Sequence, residues 1–97
     1  MPSMPVRHPK LVAIDAALAE MEASSLVFDG LDDAIVGYAT QFTNQPLVVY
    51  DYNRIIELLY EQGMTWEDAE EYFSFNIEGA WLGEGTPLIL HRLPEEE

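Results

Sequence analysis

Four Lys/Arg against eighteen Asp/Glu give a net charge of −14 over 97 residues, which excludes direct binding to nucleic acid and recruitment to an anionic membrane surface, both of which need cations. The length fits a single domain spanning residues 1–97. With no cysteine, disulfides, thiolate metal sites and cysteine nucleophiles are excluded as well.

The chain opens on Pro2, Pro5 and Pro9, and residues 1–9 read as an irregular arm with no apolar segment of the kind a secretory signal carries. No apolar run approaches the roughly 20 residues that span a bilayer, so the expectation is a soluble protein of the cytoplasm. Leu11, Ile14, Leu18 and Met21 recur at helical spacing among alanines, predicting a helix over 10–24 that ends at the serine pair. Residues 34–42 and 47–50 are short and rich in β-branched and aromatic side chains. They predict a β-hairpin whose loop is Thr43–Pro46, with Gly37 marking a bulge or a close backbone approach inside the first strand.

Two helices come next. Asp51 is the predicted N-cap of a helix over 52–62 that buries Ile55, Ile56, Leu58 and Leu59 and closes at Gly63. Thr65-Trp66-Glu67-Asp68 has the pattern of a capping box, with Met64 and Ala69 at the staple positions. That helix is predicted to run to Leu82 and stop at Gly83, with Trp66, Ala69, Phe73, Ile77 and Ala80 as its core stripe. A last strand is expected over 88–93, and residues 94–97 form a frayed acidic tail. The order α-β-β-α-α-β predicts an α+β domain: a three-stranded antiparallel sheet packed against helices on one face.

The residues offer little for catalysis. Two histidines, His8 and His91, cannot build a structural zinc site. Asp29, Asp32 and Asp33 resemble the start of a calcium loop, but the position where an EF-hand places its bidentate Glu is Thr40. An Asp-Gly turn is the simpler reading, with a weak divalent-cation site as the alternative. No serine lies in a nucleophile-elbow context, and Gly83-Glu84-Gly85-Thr86 lacks the lysine of a phosphate loop. No enzyme, cofactor or metal is expected.

Charge is more informative. The last predicted helix carries Glu67, Asp68, Glu70, Glu71 and Glu78 and no cation. Glu67, Glu71 and Glu78 would share one flank, and like charges at i, i+4 cost a few tenths of a kcal/mol. The face is either a solvated surface or an anionic surface shaped for a basic groove. Phe75 is expected outside the core with Tyr72 near its edge, and aromatics beside carboxylates suit an interface anchor.

FDGLDDAIVGY (Phe28–Tyr38), VVYD (Val48–Asp51) and GMTWEDAEEYFSFNIEGAWLGEGTP (Gly63–Pro87) together resemble a family of small bacteriophage-encoded proteins of uncharacterised function. The resemblance implies a phage accessory protein of the host cytoplasm and brings no catalytic residue. Joined to the charge, it leads to an acidic inhibitor of a host nucleic-acid-handling or defence protein, of the anti-CRISPR or anti-defence type and a DNA mimic. Its partner would be a host protein with a basic groove, contacted by Glu67, Asp68, Glu71, Tyr72, Phe75 and Glu78. The alternative is a small-ligand sponge or sensor on a homo-oligomeric scaffold, using Gly30, Gly37 and the 83–85 loop for close approach and Tyr38, Tyr50 or Trp81 for stacking, with Arg54 and Arg92 as the nearby cations.

Overall fold

The computed structural model describes residues 8–23, 25–42, 44–80, 82–83 and 85–94; residues 1–7, Ser24 of the serine pair, Thr43 of the expected hairpin loop, Trp81, Glu84 and the last three glutamates lie outside them. Among the described residues the order is α1 (Pro9–Glu20), a 3-10 turn (Asp32–Ala34), β1 (Ile35–Gln41), β2 (Asn44–Asp51), α2 (Tyr52–Glu61), α3 (Trp66–Phe73), a π turn (Ser74–Glu78) and β3 (Leu88–Leu90). This is the expected α+β architecture. The strands lie in the order β1-β2-β3.

The sheet is mixed rather than antiparallel throughout. β1 and β2 pair antiparallel, but β3 runs parallel to β2, with Val49 opposite Leu88 and Asp51 opposite Leu90. The connection explains the difference. Asp51 leads straight into α2, and two helices then carry the chain back to the level of Val49, a crossover that delivers a parallel strand beside the last residues of β2.

α1 starts one residue before the expected position and ends well short of Ser24. His8 is its N-cap, with Nδ1 accepting from the Lys10 amide at 3.1 Å. At the other end Ala23 N–H reaches Leu18 O at 2.9 Å and Glu22 N–H reaches Ala19 O at 3.0 Å, the two bonds of a Schellman motif. Glu22 occupies the left-handed position there, at φ 53°. Of the expected stripe, Ile14 and Leu18 are buried, Leu11 is half-buried and Met21 is exposed.

The hairpin is tighter than expected, because β2 begins at Asn44 and takes in Pro46. The register shifts between Ala39 and Gln41, opposite Gln45 and Pro46, so the proline sits in a bulge where no ladder N–H is required. A second shift lies between Ile35 and Gly37, the bulge expected at that glycine. No close approach accompanies it, since a Cβ there would meet nothing within 4 Å.

Val48 and Tyr50, two apart on one face of β2, are fully buried. They meet Ile35, Ile55, Ile56 and Leu59, while Ala69, Phe73 and Ile77 close the core from α3 and the π turn. The segment before β1 is tied down by side chains: Ser25 Oγ accepts from Val48 N–H at 3.2 Å, and Tyr50 Oη accepts from Phe28 N–H at 2.8 Å. α3 stops at Phe73 rather than near Leu82. Gly79 N–H bonds Ser74 O at 3.1 Å, a five-residue closure that inserts one extra residue into the turn. Gly83, the expected stop, instead forms a separate turn at φ 100°, held by Thr86 Oγ1, which donates to Gly83 O at 2.6 Å and accepts from Leu82 N–H at 2.8 Å.

Candidate partner-binding site

The acidic surface is built on α3 and the π turn. Thr65 starts it: its Oγ1 accepts from the Asp68 amide at 3.1 Å, the first half of the expected capping box. Met64 is packed against the core and Ala69 is fully buried at the staple positions. Glu67 and Asp68 then sit in the first turn, where the helix dipole favours anions. With Ala69, Phe73 and Ile77 turned inward, Glu67, Asp68, Glu70, Glu71 and Glu78 are all exposed.

The π turn rearranges this surface. Glu67 and Glu71 keep their i, i+4 relation. The inserted residue sets Glu78 back by about one helical step of 100°, to the azimuth of a residue seven after Glu70, two turns along. Glu70 and Glu78 accordingly act together on the Tyr52 phenol, whose pKa is raised by burial first and by these two carboxylates next. The row expected from Glu67 through Glu71 to Glu78 is therefore broken, with Glu78 on the Tyr52 side.

The cations of the described residues are committed elsewhere. Lys10 Nζ donates to Asp33 O at 2.6 Å, Arg54 Nε donates to Asp33 Oδ2 at 2.6 Å, and His8 Nε2 lies 3.3 Å from Asp33 Oδ1. Arg54 also reaches Glu57 at 3.1 Å and Glu61 at 3.4 Å, and Arg92 Nε donates to Asp51 Oδ1 at 3.3 Å. Asp51 thus stands at the N-cap position of α2 but spends its carboxylate on Arg92, without capping an amide. Arg54 is the chief cause that holds the Asp33 carboxyl below its ordinary value. Among the described residues, no ion pair reaches a carboxylate of α3 or the π turn.

The two aromatics of the expected site separate. Phe75 stands 75 % exposed. Tyr72 turns toward a cavity of about 180 Å³ that it lines with Phe28, Gly30 and Asn76. Trp66, expected in the core stripe, is 50 % exposed: at the first helical position it projects past the end of α2, where its ring meets Tyr60 edge-on with centroids 5.9 Å apart. Sequence reading passed over this pair. The usable signal was that Tyr60 lies off the Ile55, Ile56, Leu59 face.

The Asp29–Asp33 segment is a turn, with Gly30 at φ 80°, and the Asp33 carboxylate faces cationic side chains. Among the described residues no cluster of three or more His, Asp or Glu could hold a metal. Ser25 serves as a backbone tie, and His91 stacks on Tyr52 with ring centroids 4.8 Å apart. Of the stacking residues considered for a small ligand, Tyr50 is buried with its phenol engaged, while Tyr38 is exposed and lines, with Gly37, Ala13 and Ala17, a shallow trough of about 330 Å³ between α1 and β1. Among the described residues no helix is long and apolar enough to cross a membrane. No protein family, curated protein or solved structure matches the chain.

Proposed function

We propose that this protein works by binding: an acidic phage accessory protein of the host cytoplasm that occupies the basic groove of a nucleic-acid-handling or defence protein, as an anti-CRISPR or other anti-defence inhibitor would. The observation that carries the reading is the uncompensated face of α3 and the π turn. Five exposed carboxylates share it, no cation of the described residues answers them, and Phe75 stands beside them. Carboxylates one helical turn apart are separated by about 5–6 Å along the axis, of the same order as phosphate spacing along a strand. Such a face attracts a Lys/Arg-lined groove at long range, so association is fast and salt-sensitive. Capture from bacterial lysate at low and at raised salt tests the reading. A retained nucleic-acid-handling protein released by salt supports it, and failure to retain any such protein counts against it.

One observation favours a second reading. The trough beside Tyr38 and Gly37 suits a small apolar ligand better than a nucleotide, because among the described residues the only cation on its wall is Lys10, which is already bound to Asp33. Light scattering with a thermal-shift screen separates the readings: a ligand-dependent rise in melting temperature on a homo-oligomer, with no protein partner, favours the sponge or sensor.

A further inference from the structure

Tyr60 at the end of α2 and Trp66 at the start of α3 form an exposed aromatic corner, 56 % and 50 % accessible, with ring centroids 5.9 Å apart and planes at 60°. Neither ring helps to fill the core, which closes over Ile55, Ile56, Leu59 and Ala69. Glu70 lies one turn beyond Trp66 on the same helix face, and Glu67 is its neighbour in sequence. Both carboxylates are exposed, and no ion pair among the described residues involves them.

Aromatic faces carry negative potential and attract a cation brought within about 6 Å of the ring centroid. Among the described residues none does so: Lys10, Arg54 and Arg92 are held by Asp33 and Asp51. Resting on the reading of α3 as a docking face, we propose that the Tyr60–Trp66 corner seats an arginine side chain of the partner protein, its guanidinium lying on the indole and its N–H groups reaching Glu67 and Glu70. Charge complementarity selects a cation, and the pairing of a ring face with adjacent carboxylates selects arginine. A planar, weakly hydrated guanidinium stacks and hydrogen-bonds at once, whereas an ammonium remains a strongly hydrated point charge. The seat gives the acidic face a fixed anchor and register, which diffuse charge attraction lacks.

The test uses the full chain carrying Trp81→Phe, so that Trp66 is the sole indole, and a short peptide of alternating arginine and glycine at low salt. The arginine peptide should change Trp66 fluorescence saturably, and the matched citrulline peptide should not. Trp66→Ala and Tyr60→Ala, with circular dichroism confirming the fold, should each weaken arginine-peptide binding about 5–30-fold, the range that one or two kcal/mol gives. Trp66→Phe should fall between these variants and the parent. Equal affinity of both alanine variants and the parent overturns the seat. If Glu67→Gln and Glu71→Gln still weaken binding in that case, the acidic docking face stands without it. If the parent protein binds no arginine peptide at low salt, the seat and the docking face fall together.

Discussion

Arg54 Nε donates to Asp33 Oδ2 at 2.6 Å and so ties the second turn-forming residue before β1 to the first turn of α2. His8 and Lys10 meet the same aspartate from the start of α1. One carboxylate thus joins three elements and absorbs two of the four Lys/Arg in the chain, which is why so little positive charge remains for the rest of the surface.

That arrangement fixes the sign of an acid dependence. Arg54 holds the folded-state carboxyl of Asp33 below its ordinary value of 3.8, so the pair stabilises the fold above that value and its contribution fades as pH falls through the lowered one. Asp33→Asn should lower the melting temperature at neutral pH, and the gap from wild type should close in acid. Thermal melts of both proteins from neutral pH to pH 3 check this; a gap that widens in acid contradicts it.

Tyr50→Phe removes the acceptor of the Phe28 amide while keeping the ring contact, whose centroids lie 5.1 Å apart. Leaving that part-buried N–H unpaired should cost about 1–3 kcal/mol in denaturant unfolding. Burial also raises the Tyr50 and Tyr52 phenols above 10.0. A raised folded value means stability is full below the ordinary one and falls as pH climbs past it. Alkaline melts should show that decline, smaller in Tyr50→Phe.

Much of the fold can be read from local chemistry: the Thr65 cap, the Gly37 bulge and the Ile55–Leu59 face all follow from residues close together in the chain. What escaped depends on contacts that no short window contains. β3 runs parallel because two helices intervene before it, and Trp66 is exposed because α2 ends just before it. The π turn hides in SFNIE, whose residues would serve an α-helix equally well, and it moved Glu78 away from the flank of Glu71. The exposed carboxylates of the candidate site were legible as types, whereas the placement of Glu78 relative to Glu71 was not.

Glu22 holds the left-handed position of a Schellman motif without being glycine. Glu22→Gly should therefore raise stability by about 1 kcal/mol, offset in part by the extra freedom of glycine in the unfolded chain. Chemical denaturation with an unchanged m-value checks it.

Gly79 closes the π turn where a Cβ would lie 2.9 Å from Ser74 O and 3.3 Å from Phe75 O, both backbone atoms. Gly79→Ala should cost about 1–3 kcal/mol, as overpacking against atoms that cannot swing aside does. If the π turn sets the placement of Glu78, the same variant should lower the Tyr52 titration point toward its ordinary value by drawing that carboxylate away. Spectrophotometric titration reads it directly.

The central claim is that α3 and the π turn are the docking face, and the association rate with the captured target across a salt series tests it most directly. Two variants with equal charge change are compared with wild type. One carries Glu67→Gln, Asp68→Asn, Glu71→Gln and Glu78→Gln; the other carries Asp15→Asn, Glu20→Gln, Glu22→Gln and Asp32→Asn, which lie outside α3 and the π turn. The first should associate more slowly with a flattened salt dependence, and the second should stay near wild type. Relief of the Glu67–Glu71 repulsion, about 0.2–0.5 kcal/mol, is offset by losing the anions of Glu67 and Asp68 from the first turn, so the first variant should stay within about 1–2 kcal/mol of wild type and still fold. Equal slowing of both variants, or wild-type rates in the first at every salt concentration, would contradict the account and leave α3 an ordinary solvated helix.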